Sequence, residues 1–172
     1  AANGVDDLVL LTREQARADQ QTQALPEGED DRLRLAFALG FPDWLAFEAE
    51  LEPLVRERGL GVINFYGLAR GFLSGKYRGE ADLAKSPRGA GVKQAYFNER
   101  GIRILAALDD AAAQCKATPA QVALAWQMAR PGITAPIASA TSLAQWRELV
   151  GSASLRLDAQ TLAALDAASA WR

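Results

Sequence analysis

The spacing of apolar residues predicts five helices after the break at Gly40–Asp43. The first contains apolar residues at helical intervals from Trp44 to Val55, and Gly59 follows where that helix would close. The other four begin after side chains that can cap a helix: Asn98, Thr118, Ser142 and Asp158. Because a proline at the first helical position follows Thr118, the sequence predicts a helix from 119 to 130.

Two short apolar runs predict buried strands. The run Gly61–Tyr66 is continuous rather than alternating, which is typical of a strand covered on both faces in a parallel sheet. The run Ile133–Ala138 is similar, and its Pro136 indicates a strand end or an interrupted ladder. Since strand, loop and helix alternate, the sequence predicts an α/β fold with ligand loops at the carboxyl ends of parallel strands.

Other segments have weaker patterns. Residues 1–46 have too few apolar positions to cover a face, so we expect an unassigned N-terminal segment that is partly disordered. Within it, the alternation of large apolar residues over Leu33–Leu39 fits a strand, but the lack of β-branched residues equally allows a helix. The basic segment Lys76–Lys93 has no periodicity and predicts a long excursion over the surface.

Composition excludes several classes of function. The formal net charge is −2 with both signs interspersed, so neither nucleic acid nor an anionic membrane is an expected partner. No apolar run reaches the roughly 20 residues that span a bilayer, and we expect a cytoplasmic protein. The sequence has no histidine, which removes the commonest acid–base group and most catalytic zinc sites. We expect no metal site, and we expect the single cysteine, Cys115, to be an inert thiol.

The loop after the first predicted strand is a candidate phosphate site. Gly67, Gly71 and Gly75 allow the backbone to approach a ligand closely, while Lys76 and Arg78 add positive charge. The same residues also fit a turn with a solvated basic end, because the spacing matches neither a Walker loop nor a GxGxxG fingerprint. Spacing alone leaves both interpretations open.

The segment Ser139–Ser142 after the second strand is another candidate. Amide groups at a helix N-terminus together with hydroxyl groups can bind an anion. However, every helix needs an N-cap, and capping alone explains Ser142. Both interpretations stay open at this point.

Four segments in order resemble successive blocks of the aldo-keto reductase family. They are Phe65–Arg78, Thr118–Trp126, Pro136–Ser142 and Leu155–Asp158. The resemblance runs from about Phe47 to Trp171 and implies that residues 47–172 are the C-terminal portion of a (β/α)8 TIM barrel, incomplete here. It also implies an oxidoreductase that interconverts carbonyls and alcohols with NADP, or with NAD.

The resemblance implies a set of cofactor contacts. An aromatic ring would pack on the nicotinamide, the first loop would lie along the pyrophosphate, and the second would surround the adenosine end. The implied contacts are Phe65, Leu68, Ala69, Arg70, Gly71, Lys76, Ser139, Ala140, Thr141, Gln145 and Glu148. The sequence departs from the family where many members place Lys or Arg for the 2′-phosphate, so NAD is an alternative to NADP. Arg147 could compensate, although it also fits a solvated helix position.

The family's catalytic Asp, Tyr, Lys and His have no matching position in this sequence. They come from early strands of the barrel, which nothing before Phe47 resembles, and none of the chain's three tyrosines matches the family's catalytic one. We therefore expect a truncated form without catalytic residues, inactive alone, which would act on a small carbonyl substrate only with the missing half. The alternative is a non-catalytic remnant that binds a dinucleotide or another protein. Exposed sheet edges would favour self-association.

Overall fold

The computed structural model describes residues 48–49 and 52–170, and in this part of the chain helices alternate with two strands. In chain order these are α1 (Glu52–Glu57), β1 (Val62–Asn64), α2 (Gly89–Tyr96), α3 (Glu99–Cys115), α4 (Pro119–Met128), β2 (Ile133–Pro136), α5 (Leu143–Gly151) and α6 (Ala159–Ser169). Short 3-10 segments occur at Ala69–Ser74, Glu80–Lys85 and Ser152–Ser154. The predictions for residues 1–46 and for the beginning of the first helix lie outside the described residues.

The two strands form a parallel sheet, which confirms the predicted strand direction. Val62 pairs with Ile133, and Asn64 pairs with Pro136 at the end of β2. The strands are shorter than predicted because Phe65 and Tyr66 already belong to the turn after β1. The α/β class is therefore confirmed, whereas its assignment to the C-terminal portion of a (β/α)8 barrel stays a prediction.

Helix α4 lies at the centre of the core. All six residues from Val122 to Gln127 are buried, so this helix is covered on almost every side. It packs against α3, β2 and the 3-10 segment after β1. Phe72, Leu73 and Ile104 belong to the same core and are at most 5% exposed. The strands and the segment after β1 thus pack against a buried central helix.

The predicted helix caps are confirmed. The Oδ1 atom of Asn98 accepts from the Gly101 amide at 2.9 Å, and Ser142 caps α5 by accepting from the Gln145 amide at 3.2 Å. Thr118 and the residue three positions later exchange side-chain and backbone hydrogen bonds in a capping box. At α6, the Thr161 amide donates to Asp158 and lowers the pKa of that carboxyl group.

The predicted excursion over the surface at Lys76–Lys93 is largely confirmed, because most of its residues are exposed or half-buried, but it contains local structure that the sequence did not predict. The segment contains the 3-10 turn at Glu80–Lys85 and the beginning of α2. Tyr77 and Val92 are each 0% exposed and anchor its two ends in the core. Because these anchors lie far apart in sequence, no short window has the periodicity that would have identified them.

Several large apolar side chains on different elements are exposed among the described residues. Ile63 is 46% exposed on the face of β1 opposite Val62, and in α5 Leu143 is 60% and Trp146 38% exposed. Self-association stays a prediction, which sedimentation at rising protein concentration would test; an unchanging monomer mass would contradict it. No helix among the described residues is long and apolar enough to cross a membrane.

Candidate functional site

The two predicted loops begin side by side at the carboxyl ends of the strands. We call Phe65–Lys76 the first loop and Ile137–Ser142 the second loop. The Ile137 amide donates to the Asn64 carbonyl at 2.9 Å and extends the strand pairing to the start of the second loop. Gly67 is so close that a Cβ atom placed on it would lie 3.2 Å from the Ile137 carbonyl oxygen. The structure therefore brings the starts of the two loops together.

The first loop has an unusual backbone. Tyr66, Ala69 and Arg70 have positive φ angles of 59°, 48° and 59°, and Gly71 follows at 89°. Each left-handed residue other than glycine costs about 1–2 kcal/mol. Short turn hydrogen bonds hold this shape, including Gly71 N to Leu68 O at 2.8 Å. Such clusters of strained residues occur mainly at ligand-binding sites, so the loop is a strong site candidate.

Two cationic side chains border this strained backbone. The Lys76 ammonium lies 4.8 Å from the centre of the Tyr77 ring, and a Cβ atom on Gly71 would be 3.0 Å from its Nζ. The Arg70 guanidinium lies 5.4 Å from the centre of the Tyr66 ring. Within the described residues, neither cation forms an ion pair with a carboxylate. Their charge is available to an anionic ligand.

Arg78 has a different role from the phosphate contact proposed for it. Its Nη1 and Nη2 atoms donate to both carboxylate oxygens of Asp109 at 2.5 and 2.7 Å. Its Nε atom also donates to the Gly75 carbonyl at 2.6 Å. This bidentate pair fastens the end of the first loop to α3, and sequence spacing could not show it because the partner lies on another helix.

The apolar residues of the first loop differ in what they can offer a ligand. Ala69 is 1% exposed and Leu68 packs against the core, so a ligand would meet mainly their backbone atoms. Phe65 is half-buried, and its ring centre lies 4.0 Å from that of Tyr66 at a tilt of 52°. Phe65 therefore combines a restrained ring with partial access, as a stacking surface requires.

Polar side chains hold the second loop. The Gln145 Oε1 atom accepts from the Thr141 amide at 2.8 Å and from its hydroxyl at 2.9 Å. Ser139 is exposed and Ala140 is half-buried. The Glu148 carbonyl accepts from the Gln121 side chain at 2.9 Å, which connects α5 to α4. The structure thus joins Thr141 and Gln145 at the beginning of α5, whereas Glu148 lies further along the same helix.

Two buried carboxamides beneath the loops were not predicted as site residues. Asn64 and Gln127 are each 2% exposed, and Asn64 Nδ2 donates to Gln127 Oε1 at 2.5 Å. Gln127 Nε2 donates to the Gly67 carbonyl at 2.6 Å. Each is a polar residue inside an otherwise apolar segment, and this was the sequence signal that could have identified it. A buried amide is unusual there because it needs hydrogen-bond partners.

The described residues contain no group of three or more His, Cys, Asp or Glu side chains that could hold a metal ion. The candidate site is instead one of glycine-rich backbone, one aromatic ring and two cations.

Comparison with known proteins identifies the family. A model of the aldo/keto reductase family matches residues 42–170. The chain belongs to the aldo/keto reductase family. The match confirms the resemblance inferred from the four sequence blocks. Members of this oxidoreductase family generally bind NAD(P)H.

Three similar proteins differ in the share of this chain that they match. An uncharacterized oxidoreductase of Mycobacterium tuberculosis is 38% identical over 141 residues, which cover 79% of this chain and 41% of that protein. A probable aldo-keto reductase of Glycine max is 31% identical over 120 residues, covering 67% of this chain and 34% of its own length. A stretch of 37 residues is 60% identical to a bifunctional glutamine synthetase adenylyltransferase/adenylyl-removing enzyme of Pseudomonas putida, covering 22% of this chain and 4% of that enzyme. The chain therefore spans less than half the length of its aldo/keto reductase relatives.

Proposed function

We propose that the first and second loops together bind a nicotinamide dinucleotide in an oxidoreductase that interconverts carbonyls and alcohols. The strained backbone from Ala69 to Gly71, with the Lys76 ammonium against it, is the observation that carries this proposal. Membership of the aldo/keto reductase family supports it, because an oxidoreductase of this family needs a nicotinamide cofactor.

In the proposed complex, each loop binds a different part of the cofactor. Lys76 and Arg70 neutralise the pyrophosphate, to which the backbone of Leu68, Ala69 and Gly71 lies close. The ring of Phe65 covers one face of the nicotinamide and keeps water from it. The adenosine end meets Ser139, Ala140, Thr141, Gln145 and Glu148. When bound, the cofactor supplies the hydride, while these residues bind and orient it.

The second loop bears on the choice between NADP and NAD. The resemblance implies NADP first, but the donors of Thr141 are already bonded to the Gln145 oxygen. Neither Thr141 donor is then free for a 2′-phosphate, and the sequence has no Lys or Arg where the resemblance implies one for that group. We therefore propose that NAD binds at least as tightly as NADP.

We propose no catalytic residue among the described ones. Tyr77 is 0% exposed, so its phenol is not placed to reach a substrate, and no tyrosine of this sequence matches the family's catalytic one. Under this proposal, turnover of a small carbonyl substrate requires an Asp, Tyr, Lys and His set from outside the described residues. We keep a cytoplasmic location as a proposal.

A second candidate function is binding without catalysis. The exposed apolar side chains of Ile63, Leu143 and Trp146 favour contact with a second protein surface. In that case the loops bind a dinucleotide or only connect secondary structure, and a partner covers the apolar residues. A carbonyl reductase assay on the purified chain, with a panel of aldehydes and both cofactors, tests the second candidate, although absence of turnover is expected for both. Turnover well above background would exclude the second.

Titration of NADH and NADPH into the purified chain tests the proposed function. We expect saturable binding of both, seen as a change in cofactor fluorescence and as a higher unfolding temperature, because a ligand specific to the folded state stabilises it. AMP and nicotinamide, added separately, are the controls and should bind more weakly than the whole dinucleotide. If neither NADH nor NADPH showed saturable binding at millimolar concentration, the proposal would be contradicted.

A further inference from the structure

A buried pair of carboxamides connects the elements that carry the two loops. Asn64 ends β1, and Gln127 lies near the end of α4. The backbone carbonyl of Asn64 accepts from Ile137 at the start of the second loop, while its side chain donates to Gln127. Gln127 in turn donates to the Gly67 carbonyl in the first loop. A continuous set of hydrogen bonds therefore joins both loops.

Burying two carboxamides costs free energy unless their donors and acceptors form hydrogen bonds, and those of Gln127 all do. Gln127 Nε2 uses its donors on the carbonyl groups of Gly67 and Ala123, and Gln127 Oε1 accepts from Asn64. The Oδ1 atom of Asn64 has no hydrogen-bond partner among the described residues. A buried polar atom without a partner costs free energy, so packing alone does not account for amides at these positions.

The contact with Gly67 lies where the first loop departs from β1. A Cβ atom on this glycine would be 3.1 Å from Gln127 Oε1, which shows how closely the carboxamide fits under the turn. Left-handed residues lie on both sides of Gly67, Tyr66 directly before it and Ala69 two positions after it. Because their conformation is strained, the loop needs fixed contacts at its base to retain it.

We infer that Gln127 is a positioning residue for dinucleotide binding, which acts by holding the Gly67 carbonyl and so fixing the first loop relative to the second. This inference rests on the proposed function. Gln127 touches no cofactor atom itself. Its contribution is preorganisation, which lowers the cost of ordering the loop when the ligand binds.

The variants Gln127→Leu and Gln127→Glu test this role, and Thr161→Val is the matched control. Thr161 is 5% exposed on α6, so its substitution also removes a buried polar group, but away from the loops. Gln127→Leu should weaken the Kd for NADH and for NADPH at least about tenfold, which corresponds to 1.4 kcal/mol. In the same variant without ligand, amide exchange at Ala69 and Gly71 should become at least about tenfold faster, while exchange in α3 stays unchanged.

Gln127→Glu adds a readout that a merely structural role would not change. The ionised carboxylate cannot donate to the Gly67 carbonyl, whereas the protonated acid can, and burial raises the pKa of such a group. Relative to wild type at each pH, dinucleotide affinity should therefore recover as the pH falls from 8 to 6. Equal Kd values for Gln127→Leu and Thr161→Val, or unchanged loop exchange, would overturn the inference. If wild type binds no dinucleotide, the proposed function fails, while the exchange measurement without ligand still decides whether Gln127 holds the loop.

Discussion

Trp126→Ala is expected to lower the free energy of unfolding by about 3–5 kcal/mol, the range for deleting a large buried aromatic side chain. Trp126 is 3% exposed on the central helix α4. Its Nε1 atom donates to Asp166 at 2.7 Å, and the Arg130 guanidinium lies 4.2 Å from the ring centre. Arg130 also pairs with Asp166, so the indole belongs to a network that joins α4 to α6. Urea denaturation followed by circular dichroism measures the loss.

Two further variants separate the parts of this effect. Trp126→Phe keeps most of the apolar contact and the cation–π face but removes the N–H group, so it should cost about 1–2 kcal/mol. Trp146→Ala removes the same side chain from a position that is 38% exposed and should cost much less than Trp126→Ala. Similar losses for the two tryptophan-to-alanine variants would contradict the placement of α4 at the centre of the core.

Lys76→Ala is expected to weaken dinucleotide binding by about one to two orders of magnitude. A hydrogen bond to a charged group contributes about 1.5–3 kcal/mol, and 1.4 kcal/mol is tenfold in Kd. Because Lys76 is exposed and lies against Gly71, its loss should leave the unfolding temperature nearly unchanged. Lys76→Glu should bind more weakly still, since it places a negative charge beside the pyrophosphate. Fluorescence titration at two salt concentrations measures both variants.

Lys85→Ala is the matched control for this prediction. Lys85 is also an exposed lysine, but its ammonium pairs with Asp82 in the 3-10 segment after the first loop. Its removal changes the net charge by the same amount without touching Gly71. If Lys85→Ala weakened binding as much as Lys76→Ala, the effect would come from overall charge, and Lys76 would lose its proposed role.

The parts of the fold that could be predicted are those set by neighbouring residues. Thr118 and Gln121 form their capping box within one turn of helix, so the order of residue types was enough to predict it. The same holds for Pro136, which the sequence predicted at a strand end and which is the last residue of β2. The second loop was likewise identified as a candidate from neighbouring residues, because its hydroxyl groups lie next to a predicted helix N-terminus.

The parts that were missed depend on contacts between distant positions. Arg78 could be seen as a cation, but only the fold places Asp109 against it. Gln127 could be seen as a polar residue in an apolar helix, but its partners Asn64 and Gly67 lie in another element. Spacing along one segment contains no information on such pairs. The strained backbone of the first loop is likewise visible only in the structure.

Hydrogen–deuterium exchange of the purified chain, with and without NADH, tests most directly whether both loops bind one dinucleotide. We expect slower amide exchange in the first loop at Ala69 and Gly71 and in the second loop at Thr141, with the same dependence on NADH concentration. Helix α3, which carries no proposed contact, should be unaffected. Protection of only one loop, protection elsewhere, or no protection at saturating NADH would contradict the account.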